Sequence, residues 1–413
     1  MDRGSEGMKE KDIVVYAYNH VPYYMRRQHN EESGGKWENI PILTKEDIQK
    51  NKDSFFSCEF MNQRNAVDIR HSKTSGSTGR FLEFYWHKND YNKSLISVWL
   101  MRKKYYGINP GDRMCYFFTS PNADCADSTG DVKTERINNV MGFGKINITQ
   151  ENLPYVYEEI LRFEPVWFFI QPSMAVLLCD VAEKTGKIPE NLKYIELTGE
   201  MLWDSVRERI KRVFGCNVAN HYGSNEVNTI AFECPCGNMH VADKNVKVEI
   251  ADDDGMVLPY NKEGRIILTS LHNRISPFIR YDIGDIGMVN HAERCKCGNR
   301  SDILSLTSGR KHEYVELKNG ERINAYIFVH AVEHINEEFE SCIKQFKIIQ
   351  QGYDCFNVKL VIDEEIYELG ISNEMIEGKF EECITHPGMT DAKYEFEYCD
   401  CIIQDGKMLW FER

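Results

Sequence analysis

The chain has 413 residues, 42% of them hydrophobic and 12% aromatic, the make-up of a globular protein too long for one ordinary core. Lys and Arg number 50 against 64 Asp and Glu, for a net charge of −14. An acidic surface repels phosphate backbones, so nucleic acid is not an expected partner.

The longest apolar stretch, "PVWFFIQPSMAVLLCDVA", is broken by Gln171 and Pro172 too early to span a membrane. The charged start "MDRGSEGMKEKDIVVY" lacks the apolar core of a signal peptide, so a cytoplasmic protein is expected. In a reducing compartment, 14 cysteines point to metal ligation or burial rather than to disulfides. No internal repeat or low-complexity tract is present.

The first 50 or so residues have a helix-and-loop pattern in which Thr44 can cap a helix, with Asp47 in place of the usual Glu of a capping box. "HSKTSGSTGRFLEFYW", residues 71 to 86, then sets a loop against a strand. Gly76 and Gly79 let backbone N–H groups converge, and Ser72, Thr74, Ser75, Ser77 and Thr78 add hydroxyl donors. The combination suits a phosphate chain; a solvated Ser/Gly loop is the plainer alternative.

"KNDYNKSLISVWLMRKKYYG" predicts one amphipathic helix stopped by Gly107. Next come a strand ("RMCYFFTS"), a helix ("PYVYEEILRF"), a strand ("PVWFFI") and a helix opened by Pro172 ("PSMAVLLCDVAEKTG"). A strand running into a loop ("LKYIELTGE") and a helix ("LWDSVRERIKRVFG") follow. This alternation predicts a large layered α/β domain, with ligands gathered beyond the carboxyl ends of its strands.

"NHYGSNE", 220 to 226, sets an aromatic ring beside a glycine and a carboxylate four residues on, which can supply a stacking face and a magnesium ligand. Short β-type runs then appear ("VKVEI", "GRIILTS", "GMVNH"), separated by "DDDG" and "NKEG", and predict a smaller β subdomain. Within it "FIRYDIGDIG" places Asp282 and Asp285 on either side of Gly284. A turn there aims one carboxylate at a ribose diol or is an ordinary Asp/Gly turn. From Gly309 a strand–helix–strand–helix–strand order predicts a small α+β domain able to move as a body.

"ECPCGNMHV" holds Cys234, Cys236 and His240, and "ERCKCGNR" holds Cys295 and Cys297. Two Cys-x-Cys-Gly turns can bring four thiolates to one ion, which favours structural zinc. Cys236 is the preferred fourth ligand and His240 the alternative. "CDC", Cys399 to Cys401, lacks the glycine turn and is expected inside an apolar strand.

Taken in order, these segments resemble the phenylacetate–CoA ligase family within the acyl-adenylate-forming (AMP-binding, ANL) superfamily. "YNHVPYYMRR" and "IPILTKEDIQ" are similar to its lead-in, "TSGSTGR" to its phosphate loop, and "PVWFFIQPS" to the strand and turn after it. "LTGE" is similar to the segment before the nucleotide pocket, "HYGSNE" to the adenine and magnesium motif, and "RYDIGD" to the ribose motif. "GRKHE" resembles the hinge and "DGK" the catalytic-lysine motif.

The resemblance implies an adenylation core over 1–308, with a zinc-bearing β subdomain at about 232–305, and a mobile lid over 309–413 that carries the catalytic lysine. It implies ATP-dependent activation of a small, aromatic or similar, carboxylic acid as acyl-AMP, with release of pyrophosphate and transfer to a thiol. Thr74, Ser75, Gly76, Ser77, Thr78 and Gly79 would hold the phosphates of ATP, and Gly199, Glu200 and Gly223 would join the nucleotide set. Tyr222 would stack on adenine, Glu226 place Mg²⁺, Asp285 grip the ribose with Arg310 nearby, and Lys407 bridge the acid and the α-phosphate.

The implied acceptor is CoA. A carrier-protein phosphopantetheine or an amine is the alternative, a catalytically silent zinc-stabilised binding protein is a second, and a homodimer is left open. Three departures stand out. "TSPNADCADSTGDVKTERINN" replaces the family's glycine-rich segment, so the acid pocket is not the phenylacetate one. His312 stands where the hinge normally has Asp. Asp282 stands where relatives commonly have Arg, which adds negative charge near the nucleotide.

Overall fold

The computed structural model describes residues 6–28, 37, 40–63, 66–73, 82–118, 127–129, 132–145, 148–149, 151–292, 295–308, 314–339, 342–402 and 410–413. They divide into two compact units, Met1–Asn109 with Ala219–Thr307, and Pro110–Val218 with Ser308–Arg413. Each is mixed α/β, the class expected from the sequence.

The first unit is built on antiparallel strands. Val246–Ala251 pairs with Glu263–Ser270, which pairs with Tyr281–Asn290; Ile303–Ser308, Met239–Val241, Asn228–Glu233 and Asn217–Ser224 follow in that order. Trp86, Phe84, Phe278, Ile266 and Leu268 are buried in its core. Helix Lys45–Lys50 starts at Thr44 with a complete capping box: Asp47 N–H donates to the Thr44 hydroxyl at 3.1 Å, and the Thr44 N–H donates to the Asp47 carboxylate at 3.0 Å. The shorter Asp thus performs the reciprocal bond that Glu usually makes.

The single helix expected over 88–107 is two, Lys88–Ser94 and Ile96–Tyr106. Ser94 turns its hydroxyl onto the Tyr91 carbonyl at 2.6 Å and accepts from Asn228 Nδ2 at 2.6 Å. Back-bonding of this kind competes with the helix ladder and bends the chain at Leu95. Gly107 ends the second helix at φ +69°, as expected.

The second unit contains a parallel array. Met114–Phe118 lies between Val140–Gly144 and Trp167–Ile170, and Tyr194–Thr198 pairs beyond the latter, all four parallel. Val132–Ile137 and Asp127–Thr129 extend it antiparallel. The turn at Asn138 (φ +52°) that joins Val132–Ile137 to Val140–Gly144 uses Asn-Asn chemistry suited to the left-handed region. Helix Leu153–Phe163 puts Val156, Tyr157, Ile160 and Phe163 into the core, and Pro172–Thr185 begins with the expected proline.

In the same unit, strands Lys393–Tyr398, Cys355–Ile362, Ile343–Gly352 and Phe411–Glu412 form a sheet. Helices Tyr326–Glu338 and Asn373–Cys383 contribute Phe328 and Phe380 to a core shared with Phe356 and Tyr394. Trp203 packs on Phe346 and Trp410, with ring centroids 6.2 and 6.3 Å away. "CDC" lies past the end of Lys393–Tyr398, with Cys399 and Cys401 half-buried, rather than inside a strand.

Candidate active site and metal centre

In the first unit the strands Asn217–Ser224 and Asn228–Glu233 form a tight hairpin. A Cβ on Gly223 would lie 2.6 Å from the Asn228 carbonyl oxygen, so only glycine lets the two backbones approach. Tyr222 is thereby fixed, and its hydroxyl donates to Asp285 Oδ2 at 2.5 Å.

The Asp/Gly segment that carries Asp285 is not a terminal turn. Residues 281–290 form one strand, paired Arg265↔Ile286 and Ile267↔Asp282, so that Ile266 faces three residues, Ile283, Gly284 and Asp285. Gly284 takes φ +86°, and the bulge re-aims Asp285 out of the strand's alternation. The extra negative charge of Asp282 has its own counter-ion: Arg265 Nη1 donates to Asp282 Oδ2 at 2.8 Å, with both side chains largely buried.

Glu226 sits in the hairpin loop, 7% exposed, and accepts a hydrogen bond from the Tyr281 hydroxyl at 3.2 Å. Burial pushes its carboxyl above the usual range, and the Tyr281 hydroxyl works against that shift. The hairpin, the bulge and Tyr281 therefore hold Tyr222, Gly223, Glu226 and Asp285 together within one unit, through the Tyr222–Asp285 and Tyr281–Glu226 hydrogen bonds.

In the second unit Gly199 follows strand Tyr194–Thr198 at φ +83°. Glu200 turns back to the start of helix Pro172–Thr185, where the Ser173 N–H and hydroxyl each donate to it at 3.0 Å. A carboxylate there caps orphan N–H groups and complements the helix dipole. The buried Lys145 ammonium stands 3.9 Å from Glu200 Oε1. Sequence reasoning passed over Lys145; its one signal was a lone cation directly after an apolar strand.

The cysteine segments converge. One ligand atom each from Cys234, His240, Cys295 and Cys297 lies within 4.8 Å of every other. Cys234 Sγ and Cys295 Sγ are 3.6 Å apart, and Cys297 Sγ is 3.3 Å from His240 Nε2. Cys236, the ligand preferred from the sequence, is exposed and stands outside the group. His240 takes the fourth corner because strand Met239–Val241 pairs with both Phe232 and Ile303 and carries its ring inward.

Gly237 and Gly298, both at φ +79°, close the two turns, their N–H groups donating to the Cys234 and Cys295 carbonyls at 2.9 and 3.0 Å. His240 Nδ1 lies 2.9 Å from the Ser301 carbonyl, which can only accept, so Nδ1 carries the proton and Nε2 faces the thiols. Asn238 Nδ2 donates to Cys295 Sγ, and the Asn299 N–H to Cys297 Sγ, both at 3.3 Å. Burial works to raise the Cys295 thiol, but hydrogen bonds from the Cys297 backbone and Asn238 override it and hold the group down at about 5. Three sulfurs and one imidazole nitrogen could hold a tetrahedral metal ion.

Thr74, Ser75, Gly76, Ser77, Thr78, Gly79, Arg310, His312 and Lys407 lie outside the described residues. Among the described residues no helix is long and apolar enough to cross a membrane.

No protein-family model matches the chain. It is 24% identical over 332 residues to the phenylacetate-coenzyme A ligase of Thermus thermophilus, covering 76% of this chain and 71% of that one. To Protein CapK of Staphylococcus aureus it is 20% identical over 380 residues, 88% of this chain and 76% of the relative. Among solved structures, 2-hydroxyisobutyryl-CoA ligase in the postadenylation state with 2-HIB-AMP matches with a TM-score of 0.76 at 18% identity, covering 98% of this chain and 87% of that one. The same enzyme with 2-HIB-AMP and CoA in the thioesterification state matches at 0.63. The fold is that of the adenylate-forming CoA ligases, the superfamily that the order of motifs resembles.

Proposed function

We propose, for a chain that shares its sequence relatives and its fold with the acyl-adenylate-forming CoA ligases, that it activates a small carboxylic acid with ATP and passes the acyl group to CoA. Acyl-AMP and pyrophosphate form first, and the thioester and AMP second. The observation that carries this reading is the sequence match to the phenylacetate-coenzyme A ligase of Thermus thermophilus over 76% of this chain, joined to a fold shared with 2-hydroxyisobutyryl-CoA ligase over 98% of it.

Within that frame Tyr222 stacks on adenine while its hydroxyl orients Asp285, whose carboxylate accepts from the ribose diol. Glu226 would hold Mg²⁺, and the ion would supply charge neutralisation at the phosphates. By resemblance of their motifs, the loop from Thr74 to Gly79 would cradle the phosphates, Gly199 and Glu200 would join the nucleotide set, Arg310 would support the ribose, and Lys407 would bridge acid and α-phosphate. No covalent nucleophile is needed, since a carboxylic acid is ionised at neutral pH.

The Cys234–His240–Cys295–Cys297 group fits structural zinc: four donors and no open position. Its three thiols suit a reducing, cytoplasmic setting.

Acid-dependent ATP–pyrophosphate exchange across aryl, aliphatic and amino acids, followed by trapping with CoA, a holo carrier protein or an amine, tests the reading. Exchange with at least one acid and a thioester with CoA are expected. Transfer only to the carrier protein or the amine would replace the acceptor, and absence of exchange with every acid would end the proposal.

A further inference from the structure

Lys145 directly follows strand Val140–Gly144, Gln171 follows Trp167–Ile170, and Gly199 follows Tyr194–Thr198. These strands are parallel, so the three residues share the carboxyl edge, where open parallel sheets bind small ligands.

Two polar groups at this edge lack hydrogen-bond partners among the described residues. Lys145 is 6% exposed, yet among the described residues its ammonium makes no hydrogen bond; Glu200 at 3.9 Å supplies a counter-charge beyond hydrogen-bond length. Glu200 cannot easily move closer, because Ser173 engages both of its oxygens at the helix start. Burial accordingly holds the Lys145 ammonium below its ordinary value, with Glu200 opposing. The second group is Gln171 Oε1, a buried acceptor with no donor among the described residues. Gln171 lies beside Gly199, its Cγ 3.8 Å from where a Cβ would stand.

A buried ammonium with three unused donors is costly in the free protein, and such a group is retained where a ligand supplies the missing acceptor. The pair with Glu200 is close to neutral overall, so the site calls for hydrogen bonding more than for bare charge.

We propose that Lys145 is a specificity-determining residue of the acid pocket and receives an oxygen function of the acid other than its reacting carboxylate, with Gln171 accepting from that function when it is a hydroxyl. The substrate class is thus an oxygenated acid (hydroxy, oxo or dicarboxylic) rather than a plain aryl or alkyl acid. The inference rests on the ligase reading and deepens it.

The test compares acids of matched skeleton in pyrophosphate exchange: butyrate with 4-hydroxybutyrate and succinate, and benzoate with 4-hydroxybenzoate. The hydroxy and dicarboxylic arms separate a neutral acceptor from an anionic one. Wild type is expected to favour an oxygenated member by at least about a hundredfold in kcat/KM, because a buried donor rejects the analogue that leaves it unpaired. Lys145→Met should erase that ratio, and the double variant Lys145→Met/Glu200→Gln, which removes the counter-charge as well, should raise the melting temperature, since the unpaired ammonium is gone.

Three results would overturn the proposal: equal use of both members by wild type, an equal loss toward all acids in Lys145→Met, or a lowered melting temperature in the double variant. The second would assign Lys145 to the reacting carboxylate and the third would make it structural. Wild type inert toward every acid would count against the ligase reading itself, and the melting comparison would then decide the place of Lys145 independently.

Discussion

The Tyr222 hydroxyl donates to Asp285 Oδ2 at 2.5 Å, joining a hairpin residue to a bulge residue 63 positions further along the chain. The bond makes one rigid fixture of two groups that the adenosine reading assigns to different parts of the nucleotide. Tyr222→Phe keeps the stacking ring and removes only the tether. Loss of a hydrogen bond to a charged acceptor costs about 1.5–3 kcal/mol, so KM for ATP should rise roughly ten- to a hundredfold with kcat little changed. Initial-rate kinetics with ATP varied would check this, and an unchanged KM would remove the tether from nucleotide binding.

The Arg265–Asp282 pair lies beside the same bulge. Arg265→Met leaves a largely buried carboxylate without its cation, a change that costs about 3–5 kcal/mol when the pair is well desolvated. A lowered denaturation midpoint is expected. Asp282→Asn in the same background should recover part of it, and a double variant no more stable than Arg265→Met would show the charge to be solvated.

Glu226 offers a pH signature. Burial raises its carboxyl in the folded chain above the unfolded value, so the folded state holds the proton more tightly. Its contribution to stability is fully present below the unfolded carboxyl pKa and is lost as pH rises through the folded value. Glu226→Gln mimics the protonated form. It should melt higher than wild type at neutral pH, with the gap closing as pH falls toward the unfolded value. Pyrophosphate exchange should fall at least about tenfold, corresponding to about 1.4 kcal/mol of lost charge stabilisation. Parallel melting curves at neutral and acid pH, together with exchange rates, would decide both points.

The Cys/His cluster, read as a zinc site, discriminates between two cysteines two residues apart. Cys236→Ser should retain zinc and its melting temperature, because Cys236 is exposed and outside the cluster. Cys234→Ser or His240→Ala should lose zinc and unfold the surrounding strands, as metal affinity is folding free energy in such sites. Metal analysis of the three purified variants is the measurement; equal zinc in all of them would remove the site.

Lys407→Ala should abolish acid-dependent pyrophosphate exchange while leaving CoA thioester formation from a supplied acyl-AMP largely intact. Equal loss of both half-reactions would undo the role assigned to that lysine.

Local patterns carried far along this chain. The spacing of Val156, Tyr157, Ile160 and Phe163 fixed both a helix and its buried face. Pro172 and Gly107 marked a helix start and stop, and Thr44 with Asp47 marked a cap, because each acts on partners within one turn. The strands Asp127–Thr129, Val132–Ile137 and Val140–Gly144 were less legible, since their alternation is interrupted by Lys133, Glu135 and glycines that only cross-strand neighbours explain.

The sequence by itself determined most of the element types, the two glycine-closed cysteine turns and the order of the motifs that resemble the ligase family, all of which depend on contacts between near neighbours. The tertiary structure decided which of Cys236 and His240 completes the Cys/His cluster, that Asp285 rides on a bulge, that Arg265 neutralises Asp282, and that Lys145 meets Glu200. Strand register and sheet order set each of these outcomes. They bring together residues tens of positions apart, and the spacing within a single segment carries no information about which distant segment will pair with it.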